Sequence, residues 1–249
     1  MEPDLLDTLR ALLHNVINPI AAFPDEGTCR QLFFALRFPK GFVCPRCGAL
    51  DARYAAETWR CRTCDRRTSL TSGTWLHGTR QSLQHWFAIL WHTASPKGIS
   101  AKRFHEIYGV AEMTAWRMLM TARRLFPPWQ ADAELHCEPA VEVRRVLGRR
   151  HGTNCASAAI FVEGDRLLVA TAPTSAAAVW YLPARMVTRT ARLLIESLRT
   201  WISGTFHGVT ARHFRAYVEE FIGRWRHADP LMFLMQRVVT SRAAPTGSP

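Results

Sequence analysis

No stretch of this chain of 249 residues approaches the roughly 18 uninterrupted apolar residues that cross a bilayer as a helix. The start also lacks the marks of a secretory leader. Glu2, Asp4 and Asp7 stand where a positive segment belongs, and Asn15 and Asn18 interrupt the apolar run. No membrane association is expected, and a reducing cytosol is the expected compartment. Disulfides do not persist there, so seven cysteines imply metal ligands or free thiols. Acidic residues are scarce as well. Twenty Asp+Glu face 32 Lys+Arg, a formal charge of +12 with a pI near 10.1, and no Asp occurs between Asp165 and Asp229.

The charge excess is mostly arginine, which keeps its proton and forks onto phosphate. A surplus of this size points to a polyanionic partner, nucleic acid above all, with a basic but inert surface as the alternative. Hydrophobic content of 48% and charged content of 21% are ordinary for a globular protein.

The pattern along the chain predicts helices over 4–22, 29–37, 82–93, 100–108 and 111–126, the last ended by Pro127-Pro128. Ser100 is the expected N-cap of its helix. Strands are expected at 141–143, 158–162 and 167–170, the last two joined by a Glu163-Gly164-Asp165 turn. Helices follow over 190–202 and 210–226, and the end from Ala243 reads as a frayed tail. The fold class is α+β and multidomain. The expected domains are an N-terminal helical segment (1–37), a cysteine module (38–78), a helical domain (79–130), an α/β region (137–240) and a tail (241–249).

Cys44-Pro-Arg-Cys47-Gly48 and Cys61-Arg-Thr-Cys64 form two knuckles separated by thirteen residues. Thiolates spaced by two residues turn the same way, so two knuckles can close a tetrahedral zinc shell with Zn–S bonds of about 2.3 Å. Gly48 falls where positive φ is commonly required, and Tyr54–Arg60 can supply ribbon strands. A shell of Cys44, Cys47, Cys61 and Cys64 leaves no open position, so the Zn²⁺ is structural. Free or redox-active thiol pairs are the alternative. Cys29, Cys137 and Cys155 have no such spacing and read as buried thiols.

Residues 100–124 have the shape of a helix-turn-helix. Phe104, Ile107 and Tyr108 are expected to pack inward, Gly109 to make the turn and Val110 to plug it. Trp116, Leu119 and Met120 form the apolar face of the second helix. Lys102 and Arg103 are placed to meet phosphates, and Glu112, Thr114, Arg117, Thr121, Arg123 and Arg124 complete the expected DNA-facing set on double-stranded DNA. The alternative is a helical hairpin inside a larger core. His77, His85, His92 and His105 are scattered and read as surface or packing residues. Trp86, Trp91 and Trp116 are core before they are base-stacking platforms.

Phe23-Pro-Asp-Glu26, Leu36-Arg-Phe-Pro-Lys-Gly-Phe-Val-Cys-Pro-Arg-Cys-Gly48 and Trp59-Arg-Cys-Arg-Thr-Cys64 resemble the zinc-ribbon start of ISXO-like bacterial insertion-sequence transposases. The resemblance continues through Thr68-Ser-Leu-Thr-Ser-Gly-Thr74, Gly98-Ile-Ser-Ala101 and Thr114-Ala-Trp-Arg-Met118. A second block holds Gly204-Thr-Phe-His-Gly-Val209 and Tyr217-Val-Glu-Glu-Phe221. It implies an RNase H-like domain in which three acidic residues hold two Mg²⁺ ions for DNA cutting and joining. Here the pattern breaks. Val141-Glu142-Val143-Arg144-Arg145 puts Arg144 where the family has its first metal-binding Asp, and a cation repels Mg²⁺. The Asp-free stretch lacks the second acid, and Glu196 alone remains near the third.

The expected protein is therefore a transposase-derived, zinc-containing DNA-binding protein of the cytoplasm and nucleoid, its cutting domain a disarmed remnant. Mg²⁺, a catalytic residue and a small-molecule substrate are not expected, and regulation of transcription is the natural use of binding without cutting. The alternatives are an active transposase with a rearranged acidic site, and a remnant over 137–240 that pairs with itself or with an intact transposase and blocks it.

Overall fold

The computed structural model describes residues 19–126, 141–143, 156–163, 166–173 and 189–241. These fall into two compact units, one reaching to Trp91 and resuming at Leu231, the other running from His92 to Pro230. The expected helix 4–22 is described only at its end, and Pro127-Pro128, Cys137, Arg144-Arg145, Cys155, Gly164-Asp165 and the tail from Ala243 lie outside the described residues.

The first unit opens with a single turn, α1 (Pro19–Ala22), and a longer helix, α2 (Glu26–Arg37). Asp25 sits in extended conformation at the N-cap of α2 and accepts from the Thr28 amide at 2.8 Å, satisfying a donor the helix cannot. Its neighbour Glu26 reaches forward instead. The Glu26 carboxylate accepts from the amides of Leu83 and Gln84, each at 3.0 Å, at the first turn of α3 (Leu83–Ala94). Gln84 returns the contact by donating to the carbonyls of Phe23 and Pro24 at 2.8 and 2.9 Å. Phe23 and Phe33 then pack on Phe87 of α3, with ring centroids 5.0 and 6.5 Å away.

Between α2 and α3 lies a three-stranded antiparallel sheet of β1 (Ala52–Ala55), β2 (Thr58–Cys61) and β3 (Arg67–Ser69), in that order. Trp59 faces α2, its ring stacked 5.1 Å from Phe34 and 5.7 Å from Phe42. Such pairs are worth about 0.5–1.5 kcal/mol each beyond the area they bury, and they fix the sheet against the helix. Arg37 completes the attachment by donating to the carbonyls of Ser69, Leu70 and Ser72. A helix the sequence pattern did not predict, α8 (Pro230–Val238), returns to this unit, where the Trp75 amide donates to the Val238 carbonyl at 3.3 Å. Pro230 stands at its first position, where the missing N–H costs nothing.

The second unit contains α4 (Ala101–Tyr108), α5 (Glu112–Arg123), a sheet of β4 (Val141–Val143), β5 (Ala156–Glu163) and β6 (Arg166–Pro173), α6 (Arg189–Phe206) and α7 (Ala211–Arg226). The strands are antiparallel in chain order, and the β5–β6 register closes at Glu163↔Arg166. Met120 of α5, Leu198, Trp201 and Ile202 of α6 and Phe214, Tyr217, Val218 and Ile222 of α7 make one buried cluster. Within it Arg123 and Arg224 converge on Glu220, at 2.6 and 3.0 Å. Their guanidinium carbons lie 4.0 Å from the Tyr217 ring centre and 4.1 Å from that of Trp201. Among the described residues no helix is long and apolar enough to cross a membrane.

Candidate metal centre and nucleic-acid interface

The two knuckles are built alike. The Gly48 amide donates to the Cys44 carbonyl at 2.9 Å, and the Asp65 amide donates to the Cys61 carbonyl at 3.1 Å. Each turn places its fifth residue in the left-handed region, Gly48 at φ +73 and Asp65 at φ +58. Glycine takes that conformation freely, and aspartate is among the few other residues that tolerate it. The Asp65 carboxylate is held in both oxygens by Arg60, one contact at 2.7 Å. Reading the second knuckle in register with the first, Cys-x-x-Cys-Gly against Cys-x-x-Cys-Asp, is the signal that would have found Asp65 from sequence.

The four sulfurs converge. Cys44 and Cys64 Sγ are 3.6 Å apart, as are Cys47 and Cys61 Sγ, and all four lie within 4.8 Å of one another. A tetrahedron with Zn–S bonds of about 2.3 Å has edges of about 3.8 Å, so the donor set fits one metal ion in size as well as chemistry. Backbone amides prepare the thiolates. Those of Arg46 and Cys47 bring the Cys44 thiol down to about 6, and those of Cys64 and Thr63 lower Cys61 against the opposing effect of burial. Cys47 also gains from the Ala49 amide, but hydrogen bonding with the neighbouring sulfurs and burial outweigh it and push the thiol up to about 12. Crowded thiols share protons in this way until a cation takes their place. The four cysteines are thus positioned to hold a structural Zn²⁺. The buried Cys29 is a different case, pushed up to about 12 by burial and then by Glu26 and Asp25, so it is an inert thiol.

On the helical pair the Ser100 hydroxyl accepts from the Arg103 amide at 3.2 Å, and Gly109 ends α4 at φ +69. Phe104 and Val110 are buried, but Ile107 is 42% exposed. Its expected inward place is corrected: Phe104 and Tyr108, stacked at 4.3 Å, fill that face without it. The helix expected to reach Phe126 ends at Arg123, and a tighter turn carries the chain on as Leu125 and Phe126 donate to the carbonyls three residues back.

Of the residues expected to face DNA, Lys102, Arg103, Glu112, Arg117 and Arg124 are exposed. Arg103 also pairs with Glu106 at 2.9 Å. Thr114 and Thr121 are half-buried, and the Thr121 hydroxyl donates to the Arg117 carbonyl at 3.0 Å. Arg123 departs from the expectation: its side chain is 2% exposed and committed to Glu220, so it cannot reach a ligand at the surface.

Glu196 is exposed beside a shallow, open groove of about 650 Å³ lined also by Lys97, Thr200 and Trp201, and it pairs with Arg199 at 3.4 Å. Among the described residues, the four cysteines are the one group of three or more His, Cys, Asp or Glu side chains close enough to share a metal ion. The side chains of Glu142 and Asp165 lie outside the description.

Residues 24–67 match the family model of a transposase zinc-ribbon domain. That segment runs from the capping residues of α2 through both knuckles to the start of β3. No curated protein and no solved structure matches the chain.

Proposed function

We propose that this is a transposase-derived protein that binds double-stranded DNA at specific sites and regulates transcription without cutting. The observation that carries the reading is the four-thiolate site inside a segment matching a transposase zinc ribbon. Support comes from the net charge of +12 and from two helices joined at Gly109 with Lys102, Arg103, Arg117 and Arg124 exposed. In this reading α5 enters the major groove with Glu112, Thr114, Arg117 and Thr121 toward base edges, while Lys102, Arg103 and Arg124 hold phosphates. The zinc keeps the ribbon folded and takes no part in chemistry. The region 137–240 is the reduced RNase H-like remnant, and it is the part through which copies would associate.

The sequence supports the absence of cleavage. Arg144 replaces the first metal-binding Asp, and the stretch after Asp165 offers no second one. Glu220, in the block that resembles the transposase C-terminal segment, is committed to two arginines and faces no solvent.

Mapping of bound DNA across the genome, read with expression changes on deletion, tests the reading. Discrete sites beside genes whose expression shifts are the expected result. Arg117→Ala should weaken specific over nonspecific binding by about 1–3 kcal/mol if that residue reads a guanine. A DNA complex with α5 outside the major groove overturns the assignment of the reading helix. Mg²⁺- or Mn²⁺-dependent strand cutting, lost on changing Glu196 or Glu142, overturns the claim that the protein binds without cutting.

A further inference from the structure

The register of the ribbon sheet aligns three arginines. Arg53 of β1 is the direct partner of Arg60 of β2, and Arg60 is the direct partner of Arg67 of β3. Directly opposed residues of antiparallel strands share a face, and neighbouring strands lie about 4.8 Å apart, so the row spans about 10 Å. All three side chains are exposed. The opposite face carries Cys61 and Trp59, which belong to the cluster of aromatics beside the metal centre, and the buried Thr68. The sheet therefore has an apolar inner face and a guanidinium outer face.

Like charges placed directly opposite destabilise a sheet, and little here offsets them. The nearby acids are engaged singly: Asp65 with Arg60, Asp51 with Arg62 and Glu57 with Arg30. Arg53 and Arg67 are left without a carboxylate partner among the described residues.

We propose that this outer face seats the phosphodiester backbone of duplex DNA, with Arg53 and Arg67 as phosphate contacts on either side of Arg60. The inference rests on the DNA-binding reading and extends it from α5 to the ribbon. Arginine forks onto phosphate through two parallel hydrogen bonds. A phosphate between two such forks also relieves the repulsion the bare sheet carries. Three exposed guanidinium groups held in register at strand spacing favour a backbone of regularly spaced anions. Arg60 fixes Asp65 in its strained turn, so it is a positioning residue as well as a charge.

The test uses the full-length, zinc-loaded protein and a random-sequence duplex, with affinity measured by fluorescence anisotropy across a salt series. Changing both Arg53→Gln and Arg67→Gln should lower the slope of log K against log salt by about 1.8, the loss of two phosphate contacts. Affinity at moderate salt should fall by at least tenfold. Arg199→Gln, an exposed arginine far along the chain on α6, controls for lost charge in general and should change the slope by less than a third as much. If the double variant loses its zinc, Arg53→Gln alone carries the test, with an expected slope change of about 0.9. A slope unchanged in the folded variant overturns the inference while the DNA-binding reading stands. A wild-type protein that binds no duplex overturns the DNA-binding reading itself. Displacement of the duplex by polyglutamate at equal charge concentration would assign the row to an acidic protein and overturn it too.

Discussion

Arg123 and Glu220 stand 97 positions apart and meet at 2.6 Å, with side chains only 2% and 1% exposed. Arg224 shares the same carboxylate at 3.0 Å, so one acid balances two cations inside an aromatic shell. Removing one member of such a group leaves charge buried without a partner. Glu220→Ala should therefore cost about 3–5 kcal/mol, measured by urea unfolding. Glu220→Gln keeps the shape but not the charge and should cost nearly as much. If both variants unfold at the wild-type midpoint, the triad does not hold α5 to α7.

Stripping the metal should unfold the ribbon. Chelation at neutral pH should release one zinc per chain and change the emission of Trp59, which packs on Phe34 and Phe42 beside Cys44 and Cys61. Cys61→Ser should reproduce the spectrum of the chelated protein, with metal content read by atomic absorption. Cys29→Ser should retain full zinc.

His92 gives the stability a pH dependence. Burial lowers its folded value from 6.5 to about 4, and its Nε2 lies 2.9 Å from the Tyr108 hydroxyl. The folded state resists protonation while the unfolded state accepts it. This contribution is thus complete above pH 6.5 and disappears as pH falls toward 4, with a loss of up to about 3 kcal/mol. Denaturation series at pH 7 and pH 4.5 should show the decline in wild type and a smaller one in His92→Phe.

Two helical glycines should answer opposite ways to alanine. A Cβ on Gly223 of α7 would lie 2.2 Å from Phe126 Cδ1, so Gly223→Ala should cost about 1–3 kcal/mol. A Cβ on Gly204 of α6 meets nothing within 4 Å, and Gly204→Ala should add about 0.5–1 kcal/mol. Melting temperatures of the two variants settle the contrast.

The sequence made the metal centre legible because its signal is local. Two Cys-x-x-Cys pairs state the donor set, the spacing and the turn, and Gly48 marks the left-handed residue. The caps at Ser100 and Gly109 were legible for the same reason. Arg123 was missed for its charge and not for its place. On a helical wheel it falls among Trp116, Leu119 and Met120, about 100° or more from Arg117 and Arg124, and the distant Glu220 supplies the partner that lets a guanidinium turn inward. Ile107 fits an apolar stripe by period, but Phe104 and Tyr108 occupy the space it would need. The helix Pro230–Val238 went unpredicted although Pro230 at its first position and apolar Leu231, Leu234, Met235 and Val238 carry the helical period, because nine residues give that period little room to repeat. The arginine row was invisible too, since cross-strand register is set by the turns and by Trp59, not by any spacing of arginines along the chain.

The carboxylate of Glu26 on the amides of Leu83 and Gln84 has a topological consequence. The chain departs from that point at the start of α2 and comes back to it at the start of α3, with both knuckles and the whole sheet carried in between. The excursion begins and finishes within a hydrogen bond of itself, so it has the form of a cassette with adjoining ends. Such a segment can be lifted out, or set into a loop of another host, without a tether spanning any distance. The family match over residues 24–67 covers the outward part of that excursion, both knuckles included, and stops before its return at α3.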